Sequence, residues 1–158
     1  MNNLLSSKHP SGLAQKRCGD VFAFLGAEEQ KRLASVVTER ILEQDSYLFE
    51  VGDPADEVFF LAQGRLSVQK KTGFHRKMQV VAILESGAIV GEAGLLSGHV
   101  HGVSVRAIEH SHLFRLGCQE LQTLERTDSQ LVIQLLKHLL LISSLRLEKT
   151  AERLAHVL

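Results

Sequence analysis

At 158 residues the chain has the length of one domain and enough material to bury a core. Eighteen Lys and Arg balance eighteen Asp and Glu, which excludes a chain built mainly for nucleic acid or an anionic membrane surface. Hydrophobic residues at 44% and charged residues at 23% exclude a disordered or fibrous chain.

Residues 1–18 are polar with scattered Gly and Ser and are expected to be flexible, and the first twelve lack the apolar core of a signal peptide. Val21 to Leu25 reads as a short apolar helix or turn. A helix is expected from Gly26 to about Arg40, with Glu28 and Glu29 in its first turn and Leu33, Val36 and Val37 on one face. From Ile41 to Leu116 the apolar period becomes strand-like, broken at Gly52-Asp53-Pro54, Gly64, Gly73, Gly87, Gly98 and His110-Ser111. Many short strands at that spacing predict an antiparallel sandwich or barrel, not a parallel α/β sheet. Lys70-Lys71-Thr72-Gly73-Phe74-His75-Arg76-Lys77 is the one basic cluster and reads as a solvated hairpin tip.

The last third is helical. Ser129 can cap a helix, residues 131–158 hold no Gly or Pro, and such a helix would reach about 40 Å. One stripe, Leu131, Leu135, His138, Ile142 and Leu145, is expected to pack on the strands. A second, Leu140, Ser144, Leu147, Ala151, Leu154 and Leu158, has the 4-3-4-3-4 spacing of a coiled-coil seam and predicts a homodimer. The alternative is one amphipathic helix folded onto its own domain. The longest apolar run, Leu139 to Ile142, is too short to span a bilayer. Cys18 and Cys118 form no CxxC pair and fit a reducing, cytoplasmic compartment.

Between the strand-like run Gln79–Leu84 and a later strand lies Gly91-Glu92-Ala93-Gly94-Leu95-Leu96-Ser97-Gly98-His99-Val100-His101-Gly102-Val103-Ser104-Val105-Arg106-Ala107. One helical turn followed by a glycine-rich loop aims backbone N–H groups at one point, a way to hold a phosphate without lysines. Glu92 opens that turn and can accept from a sugar hydroxyl.

The stretch resembles the phosphate-binding cassette of the cyclic-nucleotide-binding domain family at Gly91-Glu92, Leu95-Leu96 and Ser104-Val105-Arg106-Ala107. A second block, Phe49-Glu50 with Gly52-Asp53, Asp56, Phe59-Phe60 and Gly64, is similar to the first half of that family's β-roll. The resemblance covers about residues 20 to 150. It implies a mainly β fold with flanking helices: an antiparallel β-roll (jelly-roll-like, a double-stranded β-helix) of about eight strands plus a long C-terminal helix. It implies the division 1–18 flexible, 19–128 β-roll with helical entry, and 129–158 lid or dimerisation helix. It further implies a non-enzymatic sensor whose ligand, cAMP or cGMP, lies against Val90, Gly91, Glu92, Ala93, Gly94, Leu95, Leu96, His101, Gly102, Val103 and Ser104, under a lid formed by Leu135, His138 and Ile142. No tightly bound cofactor is implied. A regulated protein partner is.

Two positions depart from the family. Where it carries an arginine and then Ser, Thr or Ala, this chain has His101 and Gly102. That leaves an alternative, a nucleotide-free dimerisation or docking domain, or a sensor of another anion. Transcription factors with this domain carry a helix-turn-helix beyond the long helix; the chain ends at Leu158 with zero net charge, so no DNA binding is expected.

Two HxH pairs, His99/His101 and His110/His112, would each share a strand face. Cupin-type metal enzymes use such ligands on a β-roll. The glutamate expected three or four residues after HxH is absent, with Glu109 eight residues after His101, so no catalytic metal is expected. His110 and His112 read as a solvated turn and a strand start. No nucleophile stands with a base.

Overall fold

The computed structural model describes residues 12–71, 77–96 and 98–157. Helix α1 (Gly12–Val21) begins inside the segment expected to be flexible. Its end is held because Cys18 and the following Phe22 are buried, with Phe22 edge-on to Phe60 at 4.9 Å between ring centres. Helix α2 (Ala27–Ala34) stops six residues short of the expected end. Val36, Val37 and Thr38 are β-branched and lose side-chain freedom in a helix, and the chain turns into a strand there.

Among the described residues ten strands follow, where about eight were expected: β1 (Thr38–Leu42), β2 (Tyr47–Phe49), β3 (Pro54–Ala55), β4 (Glu57–Gln63), β5 (Leu66–Lys71), β6 (Met78–Leu84), β7 (Ile89–Val90), β8 (His99–Val100), β9 (Ser104–Ala107) and β10 (Ser111–Gly117). The additional pairing comes from β3 and β8, two residues each, which pair only with one another. The main sheets are four-stranded, in the orders β1-β10-β4-β7 and β2-β9-β5-β6, with every pairing antiparallel. This is the antiparallel β-roll with flanking helices. The centre of the basic cluster, residues 72–76, lies outside the described residues.

Strand β4 explains how the roll and the helices share one core. It is buried on both faces. Phe59 and Leu61 face the inside of the roll with Leu66, Val90, Val105 and Leu113. Val58 and Phe60 face the helices with Phe22, Leu33, Phe114, Leu121, Leu131 and Leu135. The two-residue period of a strand makes this division automatic.

Helix α3 (Cys118–Thr127), with Leu121 and Leu124 buried, was not anticipated. Helix α4 (Ser129–Val157) was. Its cap is Asp128, not Ser129: the Asp128 carboxylate accepts from the Leu131 N–H at 3.3 Å and pairs with Arg32 at 2.5 Å. Leu131, Val132, Leu135 and Leu139 bury the first part of α4. Leu145, expected in the packed stripe, is 44% exposed. The run Leu139–Ile142 understated this helix: taken whole, α4 is long and apolar enough to cross a membrane by length and composition, although part of that apolar surface is buried in the domain.

Candidate functional site

Strand β7 delivers the chain to Gly91 with φ 76° and ψ 26°, a left-handed bend suited to glycine. A Cβ here would lie 2.9 Å from the Glu57 carbonyl oxygen and 3.5 Å from rings of both His101 and Phe49. The single turn Glu92–Leu95 follows. Within it, a Cβ on buried Gly94 would run into the Glu57 carbonyl oxygen and come 2.6 Å from its nitrogen. Both glycines therefore let the cassette backbone lie directly on the start of β4. The turn closes with N–H donations from Gly94 to Gly91 (2.8 Å) and from Leu96 to Ala93 (3.0 Å). Val90 is buried and Leu95 packs against the helical core, while Ala93 and Leu96 are exposed.

Glu92 is engaged by a residue that sequence reasoning missed. Arg146 on α4 pairs with Glu92 Oε1 at 2.8 Å and donates a second hydrogen bond, 2.7 Å, to the Ile89 carbonyl. The only signal in the sequence was position: Arg146 is the first charge after Lys137 on an otherwise apolar stretch. The three residues expected as a lid lie on the inner side of α4, in the core that Leu95 of the cassette also packs against. Leu135 is fully buried, His138 stacks on Phe24 (3.7 Å, 5° between planes), and Ile142 packs on the helical core. The hydrogen-bonded contact between α4 and the cassette is made about one turn later, by Arg146.

His101 is 7% exposed. Its ring stacks on Phe49 at 3.5 Å and 7° between planes. The backbone is fixed on both sides: His101 N–H donates to Asp53 (2.9 Å) and its carbonyl accepts from Gly52 N–H (2.8 Å). Burial holds the imidazole below its ordinary pKa, and Asp53, Asp56 and Glu57 counter only part of that effect. The ring lines a pocket of about 300 Å³ with Leu48, Phe49, Pro54, Phe59 and these three carboxylic residues. Glu57 is paired with Arg115, and Asp53 accepts from Glu50 N–H at 2.8 Å. A neutral imidazole beside carboxylates is a poor grip for a phosphate.

Gly102 is exposed and a Cβ there would meet nothing within 4 Å, so space for a side chain exists. Val103 packs inside the roll. Ser104 is buried, and its hydroxyl accepts from Val51 N–H at 2.9 Å, a structural role. The two HxH pairs differ. His99 is exposed in β8 while His101 is buried, because the strand ends at Val100 and alternation stops. His110 and His112 stay together, with their Nε2 atoms 3.3 Å apart. Among the described residues no group of three or more His, Cys, Asp or Glu is gathered as a metal cluster.

The family model described as the cyclic nucleotide-binding domain matches residues 39–128. This chain belongs to the cyclic nucleotide-binding domain family. The match runs from β1 through α3 and contains the whole cassette. Among solved structures, a cyclic nucleotide-binding domain from Methylobacillus flagellatus superposes with a TM-score of 0.82 at 23% identity, covering 89% of this chain and 83% of that one. The catabolite activator protein of Thermus thermophilus gives 0.68 at 25% identity, covering 85% and 62%. Among curated proteins, an uncharacterized NTE family protein of Mycobacterium tuberculosis is 27% identical over 99 residues, 63% of this chain. The chain spans 16% of that relative's length.

Proposed function

We propose that this chain is a non-enzymatic regulatory sensor in which α4 reports whether the cassette is occupied. The observation that carries the reading is the Arg146 bridge from α4 to Glu92 and to the Ile89 carbonyl. Glu92 is the carboxylate expected to accept from a ribose hydroxyl. A cyclic nucleotide, cAMP or cGMP, would then compete with α4 for one side chain. A ligand that binds better to the released than to the latched helix must shift the helix, and the helix must equally affect the ligand.

The same reading places the exposed leucines of α4 in a homodimer. Leu140, Leu147 and Leu154 are 68%, 70% and 60% exposed. Ile133, one heptad earlier, is also exposed, which lengthens the seam toward the three or four heptads a coiled coil needs. Two free thiols support a cytoplasmic setting; burial pushes that of Cys18 up to about 11.

A second reading is favoured by one observation: His101 is buried, stacked on Phe49 and ringed by carboxylates. Without a cation at that position the domain serves as a nucleotide-free docking unit for a regulated protein. Calorimetric titration with cAMP and cGMP separates the two. Saturable binding that tightens up to about fivefold in Arg146→Ala supports the sensor, since the latch combines a half-exposed ion pair with a charge-assisted hydrogen bond. Absence of binding by both nucleotides, in wild type and in His101→Arg/Gly102→Ser, supports the docking unit.

A further inference from the structure

His110 and His112 stand outside the cassette sequence, on the turn before β10 and on its first part. Their Nε2 atoms face each other at 3.3 Å. Behind each ring stands a carboxylate: His110 Nδ1 is 3.2 Å from Glu43, and His112 Nδ1 is 3.2 Å from Glu39. Both acids come from β1 or the residue just past it, the neighbour of β10 in the sheet. A histidine that binds a metal through one nitrogen commonly gives its other N–H to a carboxylate, which fixes the ring and its tautomer. Here that arrangement occurs twice, side by side.

The spacing is that of two ligands on one ion. With metal–nitrogen bonds of about 2.05 Å, a 3.3 Å separation subtends roughly 107°, close to a tetrahedral angle. With each ring centre about 1.1 Å behind its nitrogen, two rings converging on one ion would have centres roughly 5.1 Å apart. The observed separation is 5.1 Å, with 70° between planes. We propose that His110 and His112 form a two-imidazole site for a divalent transition-metal ion of the Zn²⁺ or Cu²⁺ type. The protein supplies two nitrogens, and exchangeable water completes the set. His112 is mostly covered, with a side chain 16% exposed, while His110 is 51% exposed and open to solvent.

Arg17 adds a competing arrangement for the ion-free state. Its guanidinium lies 3.0 Å from His112 Nδ1 and can only donate. With Arg17 donating there, the His112 proton sits on Nε2 and donates to His110, so a proton stands where the ion would. Metal binding moves that proton to His112 Nδ1, where Glu39 accepts it. Arg17, a fixed cation, opposes the ion.

Titration of the full chain with Zn²⁺ by calorimetry, and with Cu²⁺ followed by electron paramagnetic resonance, tests the site. One ion per chain is expected, micromolar for Zn²⁺ and tighter for Cu²⁺, with nitrogen hyperfine structure from two imidazoles. His110→Ala or His112→Ala lowers affinity at least tenfold. Glu43→Ala lowers it by about tenfold, the usual effect of losing a supporting carboxylate. Arg17→Ala tightens it. His156→Ala, exposed at the end of α4, leaves it unchanged. Equal affinity in the double His110/His112 variant, loss of affinity in Arg17→Ala, or no Zn²⁺ binding below millimolar concentration overturns the proposal. Thermal melts of the ion-free variants show that each is folded before it is scored.

Discussion

Adding one methyl group at Gly94 tests the construction of the cassette. The new Cβ would fall within 3.0 Å of three backbone atoms of Glu57: its oxygen, its nitrogen at 2.6 Å and its carbonyl carbon at 2.8 Å. Backbone at the start of a paired strand cannot swing aside as a long side chain can. Overpacking of this kind costs about 1–3 kcal/mol, and the upper end applies because all three contacts are with one rigid unit. Gly102→Ala is the matched control, since its Cβ would meet nothing within 4 Å and should change stability by less than about 0.5 kcal/mol. Urea denaturation reads both. With a slope of about 1–3 kcal/mol/M, Gly94→Ala should move the midpoint down by roughly 1 M or more while leaving the slope unchanged. Equal midpoints for Gly94→Ala and Gly102→Ala would refute the close approach of the cassette to β4.

The double change His101→Arg with Gly102→Ser should raise affinity for cAMP or cGMP by at least about tenfold, because a charge-assisted hydrogen bond is worth roughly 1.5–3 kcal/mol; calorimetry at pH 6 and pH 8 should also show that any acid preference of the wild type is lost. His101 and His138 are both held below their ordinary pKa by burial. The unfolded chain therefore binds more protons once pH falls below about 6.5, and stability present above that value should be lost as pH drops through the folded values. Chemical denaturation from pH 8 to pH 5 checks this, with His101→Phe and His138→Phe each flattening the profile. Leu147→Glu with Leu154→Glu should give soluble monomers by light scattering; a wild type already monomeric at about tens of micromolar contradicts the seam.

Much of the fold was legible because strands and helices leave different periods. The recurrent turn signals from Gly52 to His110-Ser111 predicted an antiparallel sandwich or barrel, the resemblance to the family narrowed it to a β-roll, and the absence of Gly and Pro after residue 131 predicted α4. What escaped were features decided by tertiary contact. Helix α1 forms where polarity suggested disorder because Cys18 and Phe22 find a core. Helix α3 is short, and only Leu121 and Leu124 mark its inner face. Strands β3 and β8 carry no period at two residues each.

The site divided in the same way. Gly91 and Gly94 stood out through the resemblance to the cassette, whereas their close approach to Glu57 of β4 is a tertiary contact that the sequence did not announce. The Ser104 hydroxyl accepts from Val51 N–H, a partner 53 positions away that no local pattern announces. Arg146 lies 54 positions from Glu92. Its place as the first charge after Lys137 marks it in the helix, but no local pattern says which carboxylate it meets. The two HxH pairs looked alike in sequence, and the end of β8 at Val100 parted one while β10 kept the other.

The measurement closest to the central claim is amide hydrogen exchange across α4, read with and without saturating cAMP or cGMP. Ligand should change exchange in the exposed half of α4, from about Ser143 onward, and Arg146→Ala should reproduce the ligand-bound pattern without ligand. Nucleotide that binds at the cassette yet leaves α4 exchange unchanged, with Arg146→Ala indistinguishable from wild type, would contradict it.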